Sequence, residues 1–232
     1  IAAAVMHTMA ARQRTQGSSA TVTTTLVAAD GDRVAPEDLV LTITGPLRCL
    51  LTAERTMLNL LGQLSGVATA TAQWVDALTG TGTRVRDTRK TVPGLRVLQK
   101  YAVRCGDAAL IKDNHVAAAG SVSAAFAAVR ERAPQVAVEV EVDDVDQLAD
   151  AIAAGADLVL LDNMSPAQLR QAVAMTRAAG VRTEASGGLT LNDAATVGAI
   201  GVDYIAVGAL THSARVLDLG LDLRTSPFQV SQ

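Results

Sequence analysis

Lysine is confined to one short stretch of this sequence. Lys90, Lys100 and Lys112 are the only lysines among its 232 residues, and the other seventeen of the twenty basic side chains are Arg. A Lys that loses its contact with water changes its pKa readily, which suits it to catalysis, whereas Arg stays charged. The clustering therefore indicates either that these lysines serve chemistry or that the chain simply prefers Arg elsewhere.

The stretch from Val85 to Val116 also alternates between extended and helical patterns. An extended run ends in the polar cluster 87–90, a Pro-Gly pair follows at 93–94, and a helical pattern leads to an apolar run that ends before Lys112. Active sites of α/β barrels and open α/β sheets lie just beyond the carboxyl ends of buried strands. We therefore expect the cluster 87–90 and Lys112 to lie at such an edge.

From residue 85 onward, strand-like and helix-like segments alternate with short connections. Strands are predicted near residues 85–90, 108–112, 136–142, 157–162, 182–186 and 203–208, and helices near 95–104, 121–132, 145–154, 166–179 and 191–199. This alternation is typical of parallel strands joined by right-handed crossovers. Aromatic residues make up only 2% of the chain, so the core must consist of Ala, Val, Leu and Ile. The predicted fold class is α/β.

The first part of the chain predicts a smaller α+β portion. We expect a helix over 1–12, strands within 20–29 and 38–44, and then the longest helix, which begins with Thr52 as its N-cap. Apolar residues recur at helical spacing along one face of that helix, and Arg55 lies near its expected start, away from this face. A solvated surface Arg is the plain interpretation of Arg55.

Two carboxylates share one face of a predicted strand. Glu139 and Glu141 alternate with valines, so the period of two places both carboxylates on the side opposite the valines. A buried carboxylate pair is costly unless it meets cations, a metal or substrate hydroxyls. An ordinary salt bridge to a neighbouring Lys or Arg would also satisfy it. Asp162 ends the next predicted strand.

Glycine-bearing loops follow the last two predicted strands. One loop contains Ser186, Gly187 and Gly188, and the other is the run 207–209, Val-Gly-Ala. Backbone N–H groups at a helix N-terminus bind anions, and α/β barrels often bind phosphate after their last two strands. An ordinary glycine turn is the alternative for each loop alone.

Together these residues indicate a phosphorylated, polyanionic ligand. Arg89, Lys90 and Lys112 would supply positive charge, whereas Glu141 and Asp162 could bind sugar hydroxyls or a hard cation such as Mg²⁺. Three or four charged hydrogen bonds of roughly 1.5–3 kcal/mol each would account for micromolar binding.

Composition argues against several classes of partner. The net charge is −3, the pI is about 5.6, and there is no block of basic residues, so we expect no nucleic acid and no anionic membrane as partners. No apolar run is long enough to cross a bilayer, and no signal peptide opens the chain. Cys49 and Cys105 offer neither a disulfide framework nor zinc spacing, which favours a cytosolic protein. Because the first residue is Ile1, we expect the native chain to begin further upstream.

Seven motifs carry a more specific signal. They are ERTMLNLLGQLSG (54–66), DTRKTVPGLRVLQKYAVR (87–104), LIKDNH (110–115), EVEV (139–142), LLDN (160–163), SGG (186–188) and VGALTHS (207–213). Together they resemble the quinolinate phosphoribosyltransferases, also called carboxylating nicotinate-nucleotide pyrophosphorylases. The resemblance covers essentially the whole chain.

The resemblance implies an incomplete α/β barrel of the type II phosphoribosyltransferase kind over 83–214. It also implies a smaller N-terminal α+β domain over 1–82, to which residues 215–232 return. The expected protein is a cytoplasmic homodimer with shared active sites. Its expected reaction in NAD biosynthesis converts quinolinate and phosphoribosyl pyrophosphate, with Mg²⁺, to nicotinate mononucleotide, pyrophosphate and CO₂.

The resemblance also implies roles for individual residues. Arg89 and Lys112 correspond to ligands of the quinolinate carboxylates, and Lys90 to a residue between quinolinate and pyrophosphate. Arg55 corresponds to the residue lent by the neighbouring subunit. Glu141 and Asp162 correspond to the carboxylates near the ribose and Mg²⁺, and join Lys90 and Lys112 as the catalytic set. The other implied substrate contacts are Thr88, Ser186, Gly187, Gly188, Val207, Gly208, Ala209 and His212.

The chain departs from the family pattern at one internal position. The family carries a glycine-rich loop with an Asn-His-Arg triplet that contacts quinolinate, where this sequence has only Cys105 and Gly106 before Asp107. Either the protein lacks this loop or the segment was omitted from the sequence, and we favour omission; a true lack of the loop would argue against specificity for quinolinate. Three alternatives stay open: an aldolase-like barrel with Lys112 as Schiff-base amine, a homologue on the same fold with a different acceptor, and a non-catalytic binding protein.

Overall fold

The computed structural model of the chain describes residues 2–14, 21–106 and 139–224. Contacts divide the chain into two compact units, residues 1–66 with 215–232 and residues 67–214. The boundary set from the sequence, 82/83, lies after the longest helix, whereas the contacts divide the chain within it. The strand predicted at 108–112, the helix at 121–132 and the first residues of the strand at 136–142 lie outside the described residues.

The first unit combines two helices with a two-stranded sheet. Its elements are α1 (Ala2–Arg14), β1 (Thr23–Leu26), β2 (Leu41–Thr44) and the first part of α2 (Leu47–Ala77). The strands are antiparallel, with Thr23 opposite Thr44 and Leu26 opposite Leu41. A compact apolar core joins these elements, and its buried members are Met6, Ala10, Val22, Cys49, Leu50, Ala53, Met57 and Leu58.

The prediction that Thr52 caps the long helix is wrong. The helix begins at Leu47, where the Pro46 carbonyl already accepts hydrogen bonds from the backbone N–H groups of Cys49 and Leu50. Proline suits a helix start because its missing N–H would have no partner there. Thr52 lies inside the helix, where its hydroxyl donates to the Arg48 carbonyl at 2.6 Å. The apolar stripe is confirmed, since Met57, Leu64, Val67, Thr71, Trp74 and Leu78 are all buried.

The second unit alternates strands and helices after α2. The strands are β3 (Arg84–Arg86), β4 (Glu139–Val142), β5 (Leu158–Asp162), β6 (Arg182–Ser186) and β7 (Tyr204–Ala206). The helices are α3 (Arg96–Gly106), α4 (Val145–Ala153), α5 (Pro166–Ala179), α6 (Ala194–Ile200) and α7 (Ala209–His212). A short 3₁₀ helix, Leu191–Asp193, precedes α6, where the sequence predicted one continuous helix.

Local sequence explains where the best-defined helix begins and ends. Ser165 and Gln168 form a reciprocal capping box at the start of α5, with Pro166 in the first helical position. Gly180 ends the helix with φ +72°, a left-handed conformation that glycine adopts at little cost. Helix α4 starts in the same manner, because Asp144 accepts a hydrogen bond from the Gln147 N–H at 2.8 Å. These caps limit the connections to β5 and β6 to a few residues.

The five strands form one parallel sheet in the order β3-β7-β6-β5-β4. One face is apolar and supports α2, α4, α5 and α6. Its strand residues are Val85, Val140, Val142, Val159, Leu161, Ala185 and Ile205. The other face carries the charged side chains, because in-register partners on neighbouring parallel strands share a face. Its polar members are Arg84, Arg86, Glu139, Glu141, Asp162, Arg182, Glu184, Ser186 and Tyr204.

A contact between the two edge strands shows that this sheet is curved. Four strand spacings would separate β3 from β4 by about 19 Å in a flat sheet. Arg86 of β3 nevertheless lies 4.0 Å from Glu139 of β4, measured from Nη1 to Oε1. The sheet therefore bends towards its charged face, as an incomplete α/β barrel does, and the charged residues line the concave side.

Candidate active site

One cluster of predicted site residues surrounds Gly208, which follows β7. A methyl group at Gly208 would lie 3.2 Å from His212 Nε2, 3.3 Å from Lys90 Cδ and 3.3 Å from Thr88 Oγ1. The structure therefore brings together Thr88, Lys90, Gly208 and His212, which come from segments about 120 residues apart in the chain. The absence of a side chain at Gly208 leaves room between the lysine and the backbone of this loop.

Buried hydrogen bonds join the same two segments. Thr211 donates from its hydroxyl to the Lys90 carbonyl at 2.9 Å, and Gln99 donates from Nε2 to the Thr211 carbonyl at 2.6 Å. The Val92 N–H donates to Gln99 Oε1 at 2.9 Å. Gln99 and Thr211 are completely buried. Sequence analysis missed Gln99, because one amide on a helix has no pattern of its own.

A second cluster lies at the carboxyl ends of β5 and β6. Asp162 and Ser186 are direct partners in the sheet. Asn163 follows at φ +52°; its N–H donates to the Ser186 carbonyl at 3.0 Å, and its side-chain amide donates to Asp162 Oδ2 at 2.6 Å. Gly187 allows this approach, because a methyl group there would overlap the Asn163 side chain. The structure thus places Asp162, Ser186 and Gly187 together.

The turn after Gly188 is stabilised by a side-chain cap rather than by a long helix. Asp193 accepts hydrogen bonds from the Thr190 hydroxyl at 2.6 Å and the Thr190 N–H at 2.9 Å. The Thr190 hydroxyl and, second, its N–H hold the pKa of Asp193 below the usual value of 3.8. Gly188 itself has φ +58°, and no atom lies within 4 Å of the position of a Cβ. The backbone beside Gly188 is therefore accessible.

Glu141 completes the arrangement on β4. It shares the charged face with Glu139, as predicted, while Val140 and Val142 are buried on the other side. Glu141 pairs in the ladder with Leu160, so one strand spacing and two residue rises put its Cα about 8 Å from that of Asp162. Glu141 is exposed and makes no ion pair within the described residues.

The two glutamates of β4 therefore differ in their surroundings. Arg86, whose side chain is 11% exposed, donates from Nη1 to Glu184 Oε2 at 2.6 Å and lies 4.0 Å from Glu139. Its guanidinium also lies 3.6 Å from the centre of the Tyr204 ring, a cation–π contact. Among the described residues, the salt bridge considered from the sequence is thus present near Glu139 and not at Glu141. Arg86 and Glu184 could have been found from the same period of two.

Lys100 has a structural partner. Its Nζ lies 2.6 Å from Asp87 Oδ2, and the Asp87 side chain is only 3% exposed. The predicted strand 85–90 in fact ends at Arg86, whose carbonyl accepts from the Val207 N–H at 2.8 Å. Asp87 then turns towards α3 instead of continuing the strand. Of the two described lysines, only Lys90 is exposed beside the glycine loop.

The remaining predicted residues have diverse placements. Arg89 is half-buried beside Lys90, and its carbonyl accepts from Arg96 at 3.1 Å. Arg55 belongs to the first unit, is 73% exposed and lies 3.4 Å from Glu54, so its predicted role is not tested by a single chain. Lys112 lies outside the described residues, as does the segment after Gly106. Val207 is buried and Ala209 exposed on either side of Gly208.

Comparison with known proteins connects this geometry to a family. The N-terminal domain model of quinolinate phosphoribosyl transferase matches residues 4–65, and the C-terminal domain model matches residues 67–222. The chain belongs to the quinolinate phosphoribosyltransferase family. The junction between the two family domains coincides with the division of the structure after Gly66.

Relatives of this family match most of the chain. A nicotinate-nucleotide pyrophosphorylase [carboxylating] from Mycobacterium leprae is 54% identical over 206 residues, which are 84% of this chain and 72% of the relative. A probable one from Bacillus subtilis is 42% identical and covers 88% of this chain and 74% of the relative. The solved nicotinate-nucleotide pyrophosphorylase from Ehrlichia chaffeensis has a TM-score of 0.81 at 31% identity and covers 94% of this chain and 81% of that structure.

Two further observations concern the described ranges of this quinolinate phosphoribosyltransferase family member. None of their helices is long and apolar enough to cross a membrane. Among the same residues, no group of three or more His, Cys, Asp or Glu side chains is placed to hold a metal ion.

Proposed function

We propose that the chain transfers phosphoribosyl from phosphoribosyl pyrophosphate to quinolinate at the carboxyl ends of its parallel strands. The transfer is coupled to decarboxylation and gives nicotinate mononucleotide, pyrophosphate and CO₂ for NAD biosynthesis. The observation that carries this proposal is the convergence of Lys90, Gly208, Ser186 and Asp162 at one edge of the sheet. The family to which the chain belongs supports the same reaction.

The two glycine loops suit the phosphate groups of the substrate. Ser186, Gly187 and Gly188 offer a hydroxyl and accessible backbone N–H groups, and Gly208 lies on the neighbouring strand connection. Lys90 and His212 lie beside Gly208 and can add positive charge and a hydrogen bond. We assign the 5′-phosphate and the pyrophosphate of the substrate to these two loops. Backbone N–H groups, a hydroxyl and the Lys90 ammonium group can all bind phosphate oxygens.

Glu141 and Asp162 suit the ribose and a Mg²⁺ ion. Mg²⁺ often binds only one or two protein carboxylates and takes its other ligands from water and substrate phosphates. Two carboxylates about 8 Å apart at their Cα atoms fit that pattern, which needs no cluster of three acidic side chains. When bound, Mg²⁺ would neutralise charge on the pyrophosphate and so make it a better leaving group.

The carboxylates also suit the charge that develops during transfer. The bond from the anomeric carbon to pyrophosphate breaks with its electron pair, which leaves positive charge on the ribose. Glu141 and Asp162, placed beside the ribose, stabilise that charge, while Lys90 stabilises the departing anion. The pyridine nitrogen of quinolinate then supplies its lone pair to the anomeric carbon from the opposite face.

Decarboxylation follows from the product of transfer. N-ribosylation places a positive charge on the pyridine ring. The bond between ring carbon 2 and its carboxylate then breaks, CO₂ leaves, and the electron pair stays on carbon 2 until a proton arrives. The adjacent positive nitrogen stabilises that pair, so transfer precedes loss of CO₂. Arg89 and Lys112 are assigned to the quinolinate carboxylates by family resemblance.

The assembly and location proposed for the chain are a homodimer and the cytoplasm. Arg55 is exposed on the first unit and can be presented to another subunit, which supports a site shared within a dimer. Cys49 and Cys105 are free thiols, which suits a reducing compartment. The proposed partners are therefore the two substrates and a second copy of the chain.

The proposal is tested by the products of the purified chain. Incubation with quinolinate, phosphoribosyl pyrophosphate and Mg²⁺ should give nicotinate mononucleotide, pyrophosphate and CO₂ in equal amounts, measured by chromatography and by release of labelled CO₂. Nicotinate in place of quinolinate should release no CO₂. Absence of nicotinate mononucleotide from a folded wild-type chain would overturn the assignment.

Glu141→Gln separates a catalytic carboxylate from a merely exposed one. Loss of a group that stabilises transition-state charge should lower kcat by about 100-fold. Thermal unfolding should change little, because Glu141 is exposed and makes no ion pair within the described part of the chain. Asp150→Asn, which removes an exposed carboxylate on α4, is the matched control. Equal kcat values for the two variants would contradict the role of Glu141.

A further inference from the structure

The segment that carries Lys90 has no regular secondary structure of its own. It leaves the sheet after Arg86 and reaches α3 at Arg96. A strand position is fixed by ladder hydrogen bonds, whereas the backbone near Lys90 must be fixed by side chains. Four described side chains do so. Thr88 accepts a hydrogen bond from the Lys90 N–H at 3.1 Å, and Arg96 donates to the Arg89 carbonyl at 3.1 Å. Thr211 donates to the Lys90 carbonyl, and Gln99 accepts from the Val92 N–H; of the four, only Thr211 joins this segment directly to the loop after β7.

The hydroxyl of Thr211 contacts both the Lys90 segment and the loop that contains Gly208. Its hydroxyl is 2.9 Å from the Lys90 carbonyl oxygen and 3.3 Å from the Gly208 carbonyl oxygen. A hydroxyl has one proton to donate, so the shorter contact is the hydrogen bond to Lys90. The Thr211 carbonyl is in turn held by Gln99. Both side chains are completely buried, which removes competition from water.

The Lys90 side chain lies close to the backbone of Gly208. The Cδ atom of Lys90 lies 3.3 Å from where a Cβ of Gly208 would be. A small displacement of the Lys90 backbone would therefore close or widen the space between its ammonium group and the glycine loop. Precise spacing matters for a ligand whose phosphate groups must meet both at once.

We propose that Thr211 is a positioning residue that sets the distance between Lys90 and the Gly208 loop, with Gln99 holding Thr211 in place. This inference rests on the proposed function, in which Lys90 and that loop bind phosphate groups of phosphoribosyl pyrophosphate. Thr211 is completely buried, so its role is assigned to the backbone rather than to the substrate. It acts through the position of Lys90.

The test compares Thr211→Val with Thr211→Ser. Valine keeps the shape of threonine but loses the hydroxyl, whereas serine keeps the hydroxyl. Thr211→Val should raise both the KM and the Kd for phosphoribosyl pyrophosphate about fivefold, the factor that corresponds to one hydrogen bond of this kind. Thr211→Ser should return both constants to within about twofold of the wild type, because a serine hydroxyl can donate the same hydrogen bond.

Thr176→Val is the matched control. Thr176 is also a buried threonine of the second unit, but its hydroxyl donates to the Ala172 carbonyl of its own helix at 2.9 Å, away from the Lys90 segment. The control should leave the KM and Kd for phosphoribosyl pyrophosphate unchanged even if it lowers the unfolding midpoint. A purely structural role for Thr211 would make the two valine variants behave alike.

Calorimetric measurement of the Kd, with Mg²⁺ present, keeps this test independent of turnover. Weakened binding in Thr211→Val with recovery in Thr211→Ser supports the inference, and unchanged binding in a folded Thr211→Val chain overturns it. If the wild-type chain binds phosphoribosyl pyrophosphate and the variants change its Kd as expected, but no nicotinate mononucleotide forms, the result would instead count against the proposed function. If Thr211→Val does not fold, Gln99→Leu removes the hydrogen bond from Gln99 to the Thr211 carbonyl instead. This variant should raise the Kd for phosphoribosyl pyrophosphate, and an unchanged Kd would overturn the inference.

Discussion

Charged side chains on the concave face of the sheet have two kinds of surroundings. Arg86 lies 2.6 Å from Glu184 and 4.0 Å from Glu139, and all three side chains are largely removed from water. Glu141 is exposed at the edge where the strands end, and so is Lys90 beside Gly208. Only the exposed groups are positioned to exchange their water for a substrate. This difference supports the proposed roles of Lys90 and Glu141 in the reaction, whereas Arg86 is proposed to support the structure of the sheet.

Lys100 should matter for stability more than for the reaction. Lys100→Met leaves the buried Asp87 carboxylate without its cation, and loss of one partner of such a pair costs about 3 kcal/mol of unfolding free energy. Urea denaturation measures this loss. The double variant Asp87→Asn/Lys100→Met removes both charges and should recover part of it. A Lys100→Met chain as stable as the wild type would contradict the structural role of the pair.

The sequence located the lysines near the proposed site, but it could not show which of them serves the reaction and which serves stability. Lys90 and Lys100 have the same residue type and the same local composition, so spacing could not separate them. The difference arises from Asp87, which turns away from the sheet after β3 and meets Lys100 on α3. The strand ends at Arg86, whose carbonyl accepts a hydrogen bond from the Val207 N–H, far along the chain, so this turn depends on contacts that local spacing does not contain.

At the scale of elements, two glycines let α2 accept another segment of the first unit. A Cβ at Gly62 would lie 2.6 Å from the Leu217 carbonyl oxygen, and one at Gly66 would overlap the Arg215 carbonyl. The Leu217 N–H also donates to the Gly62 carbonyl at 3.0 Å. The segment 215–217 therefore runs directly against the helix backbone, which only glycine permits.

Gly66→Ala should loosen this contact. The methyl group cannot fit beside a backbone carbonyl, and overpacking of this kind costs about 1–3 kcal/mol, offset by about 1 kcal/mol of gained helix propensity. We expect a net loss of stability and faster proteolysis after Ala214, measured by thermal unfolding and by mass spectrometry of the digest. Gly220→Ala, where nothing lies within 4 Å, is the control. Equal stability and equal proteolysis rates of the two variants would contradict the close contact between segment 215–217 and α2.

Element types were predictable from the sequence, but several bounds were not. The helix 166–179 and the strand 182–186 were predicted at their observed positions because caps and glycine mark their ends locally. The start of α2 was missed because Thr52 resembles an N-cap, whereas Pro46 already supplies the first turn. Register and curvature depend on contacts between distant strands, such as Arg86 with Glu139, which no local pattern contains.

At the scale of the whole molecule, the residues proposed for the site fall in both units of the chain. Thr88, Lys90, Asp162, Ser186 and Gly208 all belong to the second unit, whereas Arg55 belongs to the first. The sequence alone predicted this division of site residues only through the family resemblance, because composition does not show which subunit an exposed Arg serves. The proposed sharing of a site between subunits therefore concerns the assembly.

Mixed dimers test that sharing. Arg55→Ala and Lys90→Ala chains should each be nearly inactive, but a dimer with one chain of each kind has one intact site. Random exchange of equal amounts should recover about a quarter of the wild-type activity, since half of the dimers are mixed and each has one of two sites. Recovery is measured as nicotinate mononucleotide formation after exchange. Persistent inactivity of a verified mixed dimer would contradict a site built from two subunits.

The central claim is that the carboxyl ends of the curved parallel sheet hold phosphoribosyl pyrophosphate, and a crystal structure with this substrate and Mg²⁺ tests it most directly. We predict phosphate groups at the backbone of Gly187, Gly188 and Gly208, with Lys90 beside one of them and the ribose facing Glu141 and Asp162. Phosphoribosyl pyrophosphate bound at the amino ends of the strands, or away from Lys90 and both glycine loops, would contradict the account.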